Sequence, residues 1–166
     1  GDPRRPSTLG ELVAAVDGCV SAATAYRAPF VSGKDSLNNE YTGSDGLRHS
    51  VPPTLVITAV ADVPDADACV TPTLRQAGNV IVLLGSTSAE FAGGHLDLVR
   101  GEPEQAGTVP ARDPDAPMRY RRLHQAILEG LVHSCHDVSE GGLAVALAEQ
   151  CIAGRLGISV TELPHA

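Results

Sequence analysis

Aromatic side chains are scarce: Phe, Tyr and Trp make up 3% of the 166 residues, and tryptophan is absent. Basic residues are outnumbered, with 12 Lys+Arg against 20 Asp+Glu and a formal charge of -8. Sequence-independent nucleic-acid binding needs a basic stripe, and base stacking needs aromatic platforms, so this composition excludes a nucleic-acid coat as the function. Lysine is nearly missing, since Lys34 is the only one. The cysteines, Cys19, Cys69, Cys135 and Cys151, form no CxxC pair. That excludes a zinc-ribbon spacing and a disulfide framework, and it suits a reducing, cytoplasmic setting. Continuous apolar runs are of strand length, as in Asn79 to Gly85, so no membrane span of ~20 residues is expected. No apolar stretch follows Gly1-Asp2-Pro3-Arg4-Arg5-Pro6, so no signal peptide is expected and the chain reads as a piece of something longer.

What is present is an ordinary globular mixture, 43% hydrophobic and 19% charged, enough to bury a core. Thr8-Leu9-Gly10-Glu11 has the form of a capping box, and Leu12, Val13, Val16 and Val20 follow at helical spacing, which predicts a helix over about 9–26 ended by Ala28-Pro29. Phe30-Val31 reads as a short strand, Thr42 to Gly46 as a turn, and Thr54 to Val60 as a buried strand. The acidic, proline-containing stretch from Ala61 to Asp67 places a domain boundary, with domains at 1–62 and 72–166 joined by a linker at 63–71. Asn79 to Gly85 is a continuous apolar run typical of a sheet covered on both faces. Gly101 to Pro117 reads as a loop, 120–130 as a helix with Leu123, Ile127 and Leu131 on one face, 131–135 as a strand, 143–153 as a helix, and 158–160 as a further strand. Alternating strands and helices predict an α/β fold.

Two stretches concentrate chemistry. Ser32-Gly33-Lys34-Asp35-Ser36 offers a glycine for close anion approach, a point charge, a carboxylate for Mg²⁺ and hydroxyls for phosphate, although it lacks the Walker spacing. An ordinary polar turn is the alternative. His133-Ser134-Cys135-His136-Asp137-Val138-Ser139-Glu140-Gly141-Gly142 spans the end of an expected strand and the start of an expected helix, where open α/β sheets bind ligands and free amides favour phosphate. Asp137 suits a metal bridging that phosphate; the alternative is a capped, tightly packed helix start. Zinc held by His133, Cys135, His136 and Asp137 is disfavoured because strand alternation sends the side chains to opposite faces. Phe91-Ala92-Gly93-Gly94-His95 reads as a surface turn, and Arg119, Arg121 and Arg122 read as a solvated face. No nucleophile elbow is present.

Pro29 to Glu40, Pro52-Pro53-Thr54-Leu55-Val56-Ile57 and His136 to Leu143, in that order, resemble the phosphoribosylformylglycinamidine synthase family over about residues 1–162. The resemblance implies the end of an A domain like that of aminoimidazole ribonucleotide synthetase, followed by most of a B domain, with mixed sheets and packed helices. It implies an ATP-dependent carbon-nitrogen ligase of purine biosynthesis that phosphorylates a formyl amide oxygen and displaces phosphate with ammonia from glutamine. ATP or ADP and Mg²⁺ are the implied cofactors. Implied partners are the first half of the synthase, a glutaminase subunit or domain, and a small-molecule substrate, with neither nucleic acid nor membrane. In short-form members the first stretch reads Ser-Gly-Asn-Val-Ser, with glycine at the nucleotide, asparagine at Mg²⁺ and the last serine at the substrate. Gly33 and Ser36 match this, whereas Lys34 and Asp35 depart from it and resemble the long-form spelling, which implies phosphate neutralisation by Lys34 and metal binding by Asp35. Asp137 is implied as a Mg²⁺ ligand and Ser139 as a nucleotide contact at an auxiliary site. No catalytic residue is implied within these residues. A non-catalytic structural module, or a sibling ATP-dependent enzyme of the superfamily, is the alternative.

Overall fold

The structure is a computed structural model that describes residues 1–101 and 109–161. Its chain divides into two compact units, Gly1–Asp62 and Val63–Ala166. Of the loop expected at 101–117, residues 102–108 lie outside the described residues, as does the end of the second expected domain at 162–166.

In the first unit, α1 runs over Pro6–Tyr26. The helix starts three residues before the expected position, because Pro6 occupies its first turn with a φ already suited to a helix, and Thr8-Glu11 therefore lies inside it. No side chain caps this start, so the capping box is overturned. Ahead of it, the Asp2 carboxylate accepts hydrogen bonds from the Arg4 amide and guanidinium at 2.9 to 3.0 Å. The helix ends on Arg27 in the left-handed region, where its amide and that of Ala28 reach back to the last turn. None of the residues of α1 is buried, and its length and composition would suffice to cross a membrane. That corrects the expectation from apolar runs: small and apolar residues spread over 21 positions give the helix this character although Glu11 and Asp17 interrupt any run. A carboxylate near mid-helix opposes insertion by about 2.5 to 3.5 kcal/mol.

Glu40–Thr42 (β1) and Arg48–Ser50 (β2) pair antiparallel, with Tyr41 opposite His49 and their rings stacked at 5.2 Å. The turn between them closes where the Asp45 carboxylate accepts the Leu47 amide at 2.9 Å and Gly46 takes a φ of 75°.

In the second unit, a five-residue helix α2 covers Leu96–Arg100, α3 covers Ala116–Leu128 and α4 covers Gly142–Gly154. α3 starts four residues early because Pro117 is tolerated in a first turn. Arg121 and Arg122 are exposed as expected, while Arg119 is half-buried and pairs with Asp113. On α4, Ala146 and Gln150 are buried one turn apart, and Gly154 continues that face against Leu74.

The runs 30–31, 54–60, 79–85, 131–135 and 158–160 form no ladder; β1 and β2 make the only sheet among the described residues. Apolar and β-branched content reports that a segment suits a covered sheet, but a ladder also needs a second backbone about 4.8 Å away. Among the described residues the 131–135 run makes a single backbone hydrogen bond of this kind, from Cys135 to Thr71, which does not extend into a ladder, and Val56 and Val80 stay 89% and 84% exposed.

Candidate functional site

The segment 131–139 is held at several points. The amide of Cys135 donates to the Thr71 carbonyl at 3.0 Å, and His133 Nδ1 meets the Asn79 amide nitrogen at 2.9 Å. His136 instead turns to α4, where its Nε2 lies 2.9 Å from Glu149 Oε2. The two histidines thus serve different partners. Among the described residues no group of three or more His, Cys, Asp or Glu side chains is placed to hold a metal ion.

Asp137 is brought together with Ser139. The Ser139 hydroxyl donates to Asp137 Oδ2, while His136 Nδ1 stands 3.3 Å from Oδ1. The serine hydrogen bond, then the backbone and the imidazole, hold the Asp137 carboxyl below its ordinary range and favour the carboxylate. Its side chain is 79% exposed, and each oxygen keeps lone pairs beyond those its neighbours occupy. This fits a Mg²⁺ ion, which takes one or two carboxylates and completes its shell with water and phosphate oxygens.

The loop then enters α4 through two glycines with different tasks. Gly142 adopts a φ of 71°, and its amide donates to the Ser139 carbonyl at 2.9 Å. A Cβ on Gly141 would fall 2.6 to 2.8 Å from the Val145 side chain. No side chain caps α4, so Ser139 spends its hydroxyl on Asp137. The Gly93-Gly94-His95 turn packs beside this loop: the His95 amide donates to the Glu140 carbonyl at 3.2 Å.

The other stretch lies in the first unit, exposed throughout. Lys34 folds back so that its ammonium donates to Ser36 Oγ at 2.9 Å and to the Asp35 carbonyl oxygen. The Lys34 and Ser36 side chains are therefore brought together, with Asp35 taking part through its backbone carbonyl. Gly33 has open space around it.

Sequence reasoning missed Glu149. It is the single charged residue of α4, and that isolation is the one signal that marks it.

The family described as AIR synthase related protein, C-terminal domain, matches residues 76–165. The chain belongs to this family. AIR synthase related C-terminal domains are α/β, and the matched range contains His136, Asp137, Ser139 and Glu149 but not Ser32 to Ser36. Beyond the AIR synthase related region, the chain is similar to the phosphoribosylformylglycinamidine synthase subunit PurL of Thermomicrobium roseum, 39% identical over 158 residues, covering 95% of this chain and 21% of the relative. It is also similar to the subunit of that name from Lacticaseibacillus paracasei, 34% identical over 165 residues, covering 96% of this chain and 21% of the relative. The chain thus spans about one fifth of the length of the curated relatives it matches. No solved structure matches it.

Proposed function

We propose that the chain works as part of an ATP-dependent ligase that converts formylglycinamide ribonucleotide to formylglycinamidine ribonucleotide with nitrogen from glutamine. In this reading it contributes phosphate and Mg²⁺ binding in the cytoplasm, beside the rest of the synthase and a glutaminase. The observation that carries the reading is the Asp137-Ser139 pair at the entry to α4: an exposed, ionised carboxylate held in one orientation next to an uncapped helix start. Similarity to the PurL subunits along nearly the whole chain supports the choice of ligase.

Bound Mg²⁺ supplies charge neutralisation at a nucleotide phosphate. Asp137 would hold the ion through its carboxylate, and Ser139, whose hydroxyl fixes that carboxylate, would contact the nucleotide. In the loop of the first unit, taken by itself, Gly33 would leave room for a phosphate, Lys34 would offer its charge, Ser36 would contact substrate and Asp35 would offer a carboxylate to a metal ion. The chain supplies no catalytic residue, so by itself it makes no amidine.

ADP affinity measured with and without Mg²⁺ tests this. Asp137→Asn keeps the shape but removes the charge, and it is expected to abolish the gain that Mg²⁺ gives. Ser139→Ala should weaken ADP binding by about one hydrogen bond, roughly 0.5 to 1.5 kcal/mol. Unaltered binding in both variants, with only the melting temperature changed, would leave the motif a packing element.

A further inference from the structure

We infer that Glu149 is a positioning residue for Asp137 and acts through the imidazole of His136. α4 carries one charged side chain, Glu149, among small and apolar neighbours and a glutamine. That carboxylate faces His136 Nε2 at 2.9 Å, and the opposite ring nitrogen, Nδ1, stands 3.3 Å from Asp137 Oδ1. The two carboxylates therefore face opposite edges of one imidazole, and an ionised carboxylate accepts from whichever ring nitrogen bears a proton. The Ser139 hydroxyl on Asp137 Oδ2 completes a line of four side chains from the helix to the loop.

Within this line the imidazole is sheltered and the two carboxylates on either side of it are open. The His136 side chain is 20% exposed, against 56% for Glu149 and 79% for Asp137. A planar ring gripped at one edge by Glu149 has a fixed rotation, and its other edge then fixes Asp137. Val145, one turn before Glu149, meets the loop at Gly141, so adjacent turns of one α4 face address the same loop. Partners of this kind, which orient a metal ligand without touching the metal, change metal affinity by about 10- to 100-fold when removed. The role rests on reading Asp137 as the Mg²⁺ ligand.

The test uses Glu149→Ala, Glu149→Gln and Asp137→Asn in the full chain. Two quantities are read: the NMR resonance of the Asp137 side-chain carboxyl carbon, and the ratio of ADP affinities with and without Mg²⁺. Glu149→Ala should shift the resonance and reduce the ratio by about tenfold. Glu149→Gln, whose amide oxygen still accepts from Nε2, should restore both, which a loss of general stability would not do. If Glu149→Ala leaves either quantity unchanged while Asp137→Asn abolishes the ratio, the positioning role is overturned and Asp137 stands as the ligand. If Asp137→Asn leaves the ratio intact, or the unaltered chain binds no ADP, the reading of the site fails and the role of Glu149 fails with it.

Discussion

Gly154, the last residue of α4, lies so close to Leu74 that a Cβ built on it would fall 2.6 Å from the Leu74 carbonyl oxygen and 2.7 Å from its amide nitrogen. Backbone cannot swing aside as a side-chain tip can. Gly154→Ala is therefore expected to destabilise the second unit by about 1 to 3 kcal/mol, as overpacking does. Gly10→Ala, in open space within α1, should instead stabilise by roughly 0.5 to 1 kcal/mol, because alanine loses less backbone freedom. Urea denaturation followed by circular dichroism measures both, and equal effects of one sign would contradict the packing.

Acid should weaken the loop at 137–139 later than an ordinary aspartate would predict. Asp137 is held below its usual range chiefly by the Ser139 hydroxyl. Its contribution is fully present above the unfolded value of about 3.9 and is lost as pH falls through the lowered folded value. Asp2, pulled down to about 2 by the Arg4 side chain and amide, should behave likewise in the first unit. Carboxyl-carbon NMR titration checks the order. Ser139→Ala should return the Asp137 midpoint toward about 3.9 and leave that of Asp2 in place.

The division at Asp62 and Val63 predicts where a protease of broad specificity cuts first. Early cleavage is expected around Pro64, beside the short 3-10 turn Ala66–Ala68, which Asp65 caps through the Asp67 amide. Mass spectrometry of the first fragments decides it. First cuts inside α1 or α4 would show that the boundary is not the weakest point of the backbone.

Helices were legible because their signals are local. The spacing of Leu12, Val13, Val16 and Val20 belongs to α1 itself, and Leu123 and Ile127 do the same for α3; the starts moved where proline entered a first turn, α3 stopped at Leu128 and so left Leu131 outside it, and the five-residue α2 was not expected. Strands were not legible in the same way, because Val80 or Val56 can show that a segment suits a sheet without saying which backbone pairs with it. Of the hairpin, the turn at Thr42 to Gly46 was legible from its glycines and Asp45, while the two short strands it joins, Glu40–Thr42 and Arg48–Ser50, were not. Within the site, the Asp137-Ser139 pair spans two positions and could be read from the motif, as could the Lys34-Ser36 contact as neighbours. Glu149 stands 13 positions from His136 across a loop and two helical turns, a spacing that no periodicity encodes.

The folded-back ammonium of Lys34 is also the only primary amine on any side chain of this protein. In conjugation terms the side chains offer amine reagents a single address. Acylation there would attach one label, erase one positive charge and release Ser36 Oγ from its donor in a single event. Chemical marking and electrostatic editing of the 32–36 loop are therefore the same operation.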